Sequence, residues 1–301
     1  MNRENRFGGA DIAMVATTFL WGLNTVISKN AMGDTPESFR VFIYNGLRIP
    51  GGAILLFLAL KMKGKSIAIQ RKHILYCAVL SFFGLFMFMV TFILGVSLTS
   101  SANTGIILAM TPILIIVISL VTGTENPTKR IFGGILVGFC GMTVLTFKRG
   151  GISFNVGDVL ILCSCCAWAI HTVYGKKLLH SYSPMVVIAW LYLFTSLYQL
   201  PFALYHLPSQ DFSSVSQINW FYLFVSVFGS VMLANTLYYY SVGKIGPSKA
   251  GVYTNLTPVF TLLLAVAIRG ETITIVQILG LVLIVCGIAL SKSRPNRGKK
   301  S

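Results

Sequence analysis

The chain has 301 residues, of which 55% are hydrophobic and 11% are charged, and its mean hydropathy is +0.77. Soluble domains carry about 25% charged residues, so this composition excludes an ordinary soluble protein. The formal net charge of +16 would suit a nucleic-acid partner, but its distribution along the chain points to another explanation.

Apolar stretches recur along the whole chain in runs of roughly 18 to 23 residues, the length needed to cross a hydrocarbon core of about 30 Å. We therefore predict an integral membrane protein with ten spans. In chain order, the spans lie near residues 10–30, 40–60, 73–95, 101–121, 131–147, 158–176, 184–205, 218–241, 249–268 and 273–291. The connections are short, so we expect no soluble domain. We expect no removable signal peptide either, because the first span is too long and lacks a small-residue cleavage pattern.

Basic residues are distributed unequally between the two sides of the membrane. The N-terminus, every second loop and the C-terminal tail together hold 18 Lys and Arg residues, whereas the other loops hold five. The positive-inside rule then places both termini in the cytoplasm. The basic cytoplasmic tail, residues 292–301, is expected to lie beside anionic membrane lipid. The net charge therefore predicts orientation and lipid contact, and no nucleic-acid partner.

All six cysteines fall within predicted spans, so we expect no disulfide. The sequence CSCC at residues 163–166 would suit a soft metal, but no His or Cys stands at ligand spacing from it. Small residues that allow close packing are the favoured interpretation. We expect neither a metal nor a cofactor.

The two halves of the chain are similar to each other. At an offset of 146, residues 105–125 align with 251–271 without a gap, and at an offset of 147, residues 11–29 align with 158–176. The identical pairs include Gly105/Gly251, Pro112/Pro258, Glu125/Glu271, Asp11/Asp158, Trp21/Trp168 and Lys29/Lys176. Because each half has five spans, the second half enters the membrane with opposite polarity. The predicted fold is an all-α integral membrane protein with ten transmembrane helices, arranged as two inverted five-helix repeats (1–150 and 151–291) around a central cavity.

Several segments carry a family resemblance. The sequences TTFLWGLNTVISK (17–29), NGLRIPGGAILLFLAL (45–60) and GDVLILCSCCAWAIHTVYGKKL (157–178), with the two Thr-Pro segments, resemble the EamA-type members of the drug/metabolite transporter superfamily. The resemblance covers nearly the whole chain. It implies five plus five helices, a central cavity, and export of amino acids or related metabolites across a bacterial inner membrane. That superfamily also moves drugs, sugar nucleotides and lipid-linked sugars.

Acidic residues separate the functional alternatives. Cation-exporting relatives typically rely on a carboxylate buried in the membrane, whereas all eight acidic residues of this chain are predicted in loops or at span ends. The leading hypothesis is therefore a secondary transporter, not an enzyme, that takes a neutral, zwitterionic or anionic small molecule. A transporter of sugar nucleotides or of other phosphorylated or lipid-linked metabolites is the alternative. An intramembrane lipid-modifying enzyme would need paired carboxylates, a His-rich metal motif or a Ser-His arrangement, and none is visible.

Thr-Pro pairs interrupt spans four and nine. Pro112 and Pro258 each remove a backbone donor near the middle of a span, and Gly105 and Gly251 lie seven positions upstream on the same helix face. Broken backbone at membrane depth is tolerated where protein or water satisfies it. We predict that spans four and nine are gating helices, one working mainly at each face. The alternative is a static packing kink.

Span one carries polar and aromatic residues at helical spacing. Trp21 and Asn24 share one face, and their repeat partners Trp168 and His171 form the same stripe in span six. Either these stripes line a substrate cavity, with the tryptophans as apolar walls and Asn24 and His171 as orienting groups, or they hold helices together. His171 is also the candidate for any proton coupling, since imidazole titrates near neutral pH. The alternative is a neutral, hydrogen-bonded histidine.

Arg48 is predicted at depth in span two. Its guanidinium either binds a substrate carboxylate or phosphate, or reaches the interface or satisfies carbonyls freed at Pro50. Six further residues are candidates for substrate contact: Tyr44, Trp190, Asn235, Tyr239, Tyr253 and Asn255. The tyrosine-rich segment 235–240 also fits an aromatic belt at the membrane interface.

Small residues in spans five and ten are spaced for close helix packing. They would serve either as a dimer face or as contacts within one bundle. Packing within one bundle is the simpler interpretation, so we expect a monomer.

Overall fold

The computed structural model describes residues 8–33, 35–99, 101–146, 155–269 and 273–291. Within these ranges the chain is almost entirely helical. Its helices are α1 (Gly9–Ala31), α2 (Val41–Met62), α3 (Arg71–Leu98), α4 (Ser101–Leu108 and Thr111–Val121), α5 (Lys129–Thr146), α6 (Val156–Leu178), α7 (Pro184–His206), α8 (Gln217–Ile245), α9 (Pro247–Thr254 and Leu256–Arg269) and α10 (Ile275–Ser291). Eight of them have the length and hydropathy of membrane spans, and α5 and α10 complete the predicted ten-helix membrane architecture, which is confirmed. The repeat boundary at residue 150 and the tail 292–301 lie outside the described residues.

The helices alternate in direction, so the odd-numbered helices begin at one face of the bundle and the even-numbered helices at the other. We call the face where α1 begins and α10 ends the terminal face, and the other the opposite face. Helix α3 packs on α6 as α8 packs on α1, while α2 packs on α7 and α5 on α10. The two inverted halves are related by a two-fold axis in the membrane plane. This axis exchanges the α3–α6 pair with the α8–α1 pair, and it leaves the α2–α7 and α5–α10 pairs unchanged.

Glycines set the contact between α5 and α10. A Cβ atom on Gly134 would lie 2.4 Å from the carbonyl oxygen of Gly287, and one on Gly141 would lie 2.8 Å from that of Gly280. The repeat symmetry exchanges these two contacts, because an offset of 146 relates Gly134 to Gly280 and Gly141 to Gly287. The small-residue surfaces therefore pack within the bundle.

Helices α4 and α9 are both broken where the Thr-Pro pairs predict a break. The interruptions fall at residues 109–110 of α4 and at residue 255 of α9. Pro112 follows in the first turn of the second half of α4, where a missing N–H costs no hydrogen bond. Gly251 of α9 packs against Pro112 and Ile115, since a Cβ on this glycine would lie 3.6 Å from the Pro112 Cα. Gly105 and Pro258 are half-buried in α4 and α9. The two broken helices thus cross each other close to their breaks.

Two π-helical segments, which no local sequence pattern predicts, occupy matched positions: Ser81–Phe86 in α3 and Ser226–Ala234 in α8. The first lies against α6 and the second against α1. Side chains donate hydrogen bonds to backbone carbonyls of the second segment. The Asn235 amide donates to the Ser230 carbonyl at 2.6 Å, and the Thr17 hydroxyl to the Ala234 carbonyl at 3.2 Å. Such segments occur frequently at functional sites, and both of these face the helices that carry the polar stripes.

Candidate functional site

The carboxylate of Asp11, in the first turn of α1, holds the first half of α9 at the terminal face. It accepts a hydrogen bond from the Tyr253 hydroxyl at 2.6 Å and pairs with the Lys249 ammonium at 3.3 Å. It also accepts the backbone N–H of Gly8 at 3.0 Å, in keeping with the preference for negative charge at a helix N-terminus. We call Asp11, Lys249 and Tyr253 the Asp11 clamp.

Glu125, in the loop after α4, holds the same half-helix at its N-terminus. Its carboxylate accepts the backbone N–H of Ser248 at 2.9 Å and pairs with Lys176, near the end of α6, at 3.2 Å. Gly246 has a φ of +84°, which favours glycine, and a Cβ at this position would overlap the Glu125 carboxylate. Two carboxylates thus fix Pro247–Thr254 at the terminal face.

Asp158 occupies the equivalent place at the opposite face. It accepts hydrogen bonds from the Thr99 hydroxyl at 2.5 Å and the Asn103 amide at 3.1 Å, and from the backbone N–H of Asn155 at 2.8 Å. An offset of 146 matches Asn103 with Lys249, so a neutral amide stands where the other repeat has an ammonium group. Asp11 is held partly by an ion pair, whereas these contacts of Asp158 are hydrogen bonds from neutral donors.

Aromatic rings from both halves meet in the middle of the bundle. Trp21 and Trp168, which the repeat matches, touch edge to face with ring centroids 5.4 Å apart. The Tyr238 ring lies 5.2 Å from Trp21 and 5.7 Å from Trp168, and the Phe88 ring lies 5.2 Å from Trp168. The Tyr238 hydroxyl is 2.8 Å from that of Thr172. The stripes of α1 and α6 therefore face each other, and in this conformation their tryptophans pack together.

His171 is fully buried beside these rings. Its Nε2 lies 2.8 Å from the Tyr239 hydroxyl, and its Nδ1 has no hydrogen-bond partner within the described residues. Gly84, in the π-helical segment of α3, packs directly on the histidine, because a Cβ there would lie 2.8 Å from the His171 Cβ. Burial and the bond to Tyr239 favour a neutral, hydrogen-bonded histidine over a proton carrier, and this stays a prediction.

Replacing His171 by glutamine is expected to leave the pH dependence of transport unchanged, because a buried neutral side chain does not exchange protons during the cycle. The loss is limited to about one hydrogen bond, worth about 1 kcal/mol. The measurement is the substrate counterflow rate of the variant between pH 5.5 and 8. Tyr239→Phe is the matched control, since it removes the same hydrogen bond and keeps the imidazole. A pH profile that flattens only in His171→Gln would instead establish a proton-coupling role.

Polar side chains join the stripe of α1 to α2 in the half of the bundle nearer the opposite face. The Asn24 Oδ1 accepts hydrogen bonds from the hydroxyls of Ser226 and, at 3.2 Å, Ser28. The Ser28 hydroxyl lies 3.0 Å from that of Tyr44. The Arg48 Cζ lies 5.8 Å from the Tyr44 ring centroid, a cation–π distance. The structure thus brings three candidate residues, Asn24, Tyr44 and Arg48, into one connected group.

Other candidate residues lie elsewhere. The Trp190 indole donates to the Ile67 carbonyl at 2.8 Å, and this contact fixes the loop between α2 and α3 at the terminal face. The Asn235 amide donates to a backbone carbonyl of the π-helical segment of α8. Asn255, at the break in α9, points its amide at Gly138 of α5, where a Cβ would lie 2.7 Å from the Asn255 Nδ2. These three residues are separate from the Asn24, Tyr44 and Arg48 group.

A groove of about 530 Å³ lies on the outer side of α3, the second half of α4, and α6. Its walls are mostly aliphatic and aromatic, and Val79, Phe83 and Val121 on it are strongly exposed. Such a surface suits contact with lipid chains. It is distinct from the polar stripes in the interior.

Both halves of the chain match one family description. Residues 8–147 and residues 155–292 each match the EamA-like transporter family. The chain belongs to this family. Among its EamA-type relatives, the uncharacterized transporter YetK of Bacillus subtilis is 27% identical over 96% of this chain and 89% of its own length, and YoaV of the same bacterium is 26% identical over 96% and 98%. The uncharacterized inner membrane transporter YicL of Salmonella typhimurium is 23% identical over 90% and 91%.

A solved crystal structure has the same overall fold. It is 22% identical in sequence, matches 94% of this chain and 96% of its own, and superposes with a TM-score of 0.78. The family match and the named relatives together make this multi-pass membrane protein a transporter of the EamA type.

Proposed function

We propose that this EamA-family protein is a secondary transporter that exports amino acids or related small metabolites across the bacterial inner membrane by alternating access, with both termini in the cytoplasm. The observation that carries the proposal is the matched pair of breaks in α4 and α9. Each break weakens a helix at membrane depth, and the inverted repeat places the two short first halves at opposite faces. Movement of the first half of α9 would open the terminal face. Movement of the first half of α4 would open the opposite face.

The contacts at the terminal face support a closed state there. The Asp11 clamp and Glu125 hold it, and Tyr238, Tyr239 and Tyr253 behind them are fully buried. In contrast, Trp21, Asn24, Arg48 and Trp168 are only half-buried. These candidate substrate contacts are therefore partly exposed, and we propose that they are reached from the opposite face.

Counterflow in proteoliposomes tests the proposal. Labelled amino acids, amines and phosphorylated metabolites would be offered with and without a pH gradient. We expect a few amino acids to accumulate unchanged and independently of the gradient. Accumulation of phosphorylated metabolites alone would support the alternative cargo. Chemical conversion of a lipid component would support an enzyme, and silence across the panel from folded protein would contradict the proposal. A C-terminal reporter fusion that is active only in the cytoplasm would test the orientation.

Replacing Pro112 or Pro258 by alanine is expected to change turnover by more than it changes substrate affinity. Alanine restores a helix-forming residue beside each break, which stiffens the helix that must move. Rates and half-saturation concentrations from counterflow measure the two effects separately. Pro50→Ala in α2 is the control, because that proline lies within a continuous helix. Unchanged transport in both variants would show that the breaks are static kinks.

A further inference from the structure

We infer that Arg48 forms the anion-binding part of the substrate site, so that the cargo carries a carboxylate or a phosphate group. This inference rests on the proposed function and names the chemical class of its cargo. It starts from the state of the guanidinium itself. The Arg48 Nε is buried and has no hydrogen-bond acceptor within the described part of the chain.

The position of Arg48 makes this state costly. The residue lies seven positions into α2 from Val41, about 10 Å along the helix at 1.5 Å per residue. A cation at membrane depth pairs with a carboxylate or backbone carbonyls in most proteins. The ion pairs within the described residues are Lys176 with Glu125 and Lys249 with Asp11, so both of these carboxylates are engaged at the terminal face. Arg48 therefore has no protein counter-charge in the ranges that the structure describes.

The surroundings suit an anion held by the guanidinium. The Tyr44 ring lies against one side of the guanidinium. Tyr44 is buried, whereas Arg48 keeps partial access. A guanidinium with its Nε free to donate can bind a carboxylate or phosphate through two parallel hydrogen bonds. An aromatic wall restricts the directions from which such a group can approach.

The same surroundings bear on the other two interpretations of Arg48. An arginine that satisfied carbonyls freed at Pro50 would use its donors on backbone oxygens, yet Nε has no acceptor. An arginine that only reached the interface would carry its guanidinium away from the bundle, whereas the Arg48 Nε is buried and the guanidinium lies beside the buried Tyr44 ring. The Tyr44 hydroxyl, through Ser28, connects the position to Asn24 on the α1 stripe. Arg48 is thus connected, through Tyr44 and Ser28, to the polar stripe of α1.

Matched pairs of probes test the inference in proteoliposomes. L-leucine and L-leucinamide differ only in the carboxylate, and glucose 6-phosphate and glucose differ only in the phosphate. We expect counterflow of the member that carries the carboxylate or phosphate, without its counterpart that lacks this group. Arg48→Gln should weaken that uptake about tenfold or more, and Arg48→Lys should retain part of it because the charge remains while the fork geometry is lost. The control is Arg40→Gln, since the Arg40 Nε donates to the Ser209 carbonyl outside this group.

The outcomes separate this inference from the proposed function. Equal uptake of both members of each pair by wild type and Arg48→Gln would overturn the inference and leave the transporter intact. No uptake of any probe would overturn the proposed function and the inference with it.

A second measurement needs no substrate. Ligand-free Arg48→Met is expected to melt about 2 °C or more above wild type, because it removes an uncompensated charge. A lower melting temperature in this variant, with Arg40→Met unchanged, would show that Arg48 is a structural residue and overturn the inference.

Discussion

Replacing Gly134 by alanine is expected to destabilise the protein by about 3 kcal/mol, the upper part of the usual range for overpacking. The added methyl group would lie 2.4 Å from the carbonyl oxygen of Gly287. That neighbour is helix backbone, which has no rotamer to change, so α5 and α10 must separate. Separation loses the close contact along both helices. The measurement is the free energy of unfolding in detergent, with unfolding monitored by far-UV circular dichroism.

Gly133→Ala supplies a matched control one residue away. A Cβ on Gly133 would lie 3.4 Å from the Leu290 Cδ2, the end of a flexible side chain. Alanine in a helix interior is otherwise favoured over glycine by about 0.5–1 kcal/mol, so this variant should be as stable as wild type or slightly more stable. Equal destabilisation by both variants would mean that glycine is needed for backbone freedom and not for the α5 to α10 contact.

Replacing Asp11 by asparagine is expected to open the terminal face. The change leaves the Lys249 ammonium without its partner and weakens the bond from the Tyr253 hydroxyl, both of which fix the first half of α9. Hydrogen bonds to charged groups contribute about 1.5–3 kcal/mol, so the population of open states should rise about tenfold or more. The measurement is the rate at which a membrane-impermeant maleimide labels Ala250→Cys, a fully buried position, in a background with the native cysteines replaced.

Asp158→Asn is the matched control, because the repeat places Asp158 at the opposite face. It should leave labelling at residue 250 unchanged or slow it, since it loosens the first half of α4 through Asn103. Combining Asp11→Asn with Lys249→Gln should be less harmful than the sum of the single changes, as expected for residues in direct contact. Equal labelling rates in wild type and Asp11→Asn would show that the clamp does not limit opening.

Long-range organisation was predictable from the sequence where it depends on periodic or repeated residues. Apolar run length fixed the ten spans, and the Thr-Pro pairs predicted the breaks in α4 and α9 because proline lacks a backbone donor whatever its surroundings. The helical spacing of Trp21 and Asn24 predicted an inward stripe, and the structure places both residues in the interior.

Features that depend on neighbours from distant parts of the chain were not predictable. The π-helical segments have no local sequence signature, and one depends on Thr17 for its backbone bonds. Trp190 could not be distinguished from a cavity residue, because its partner is the carbonyl of Ile67, 123 residues earlier. Asp11 and Asp158 were treated as ordinary acidic residues at span ends. Their match across the repeat was the signal that they occupy equivalent positions, but only the structure shows that they bind the first halves of the broken helices α9 and α4.

The paired glycine contacts between α5 and α10 also bear on how such a chain could arise. The contact of Gly134 with Gly287 becomes that of Gly280 with Gly141 when the halves are exchanged, so the surface is self-complementary, as in an isologous dimer. A single five-helix ancestor inserted in both orientations would bury this same surface against a second copy of itself. Gene duplication and fusion would then preserve an interface that already existed, and later substitutions, such as those that placed Lys249 in one half where the other half has Asn103, would distinguish the two halves.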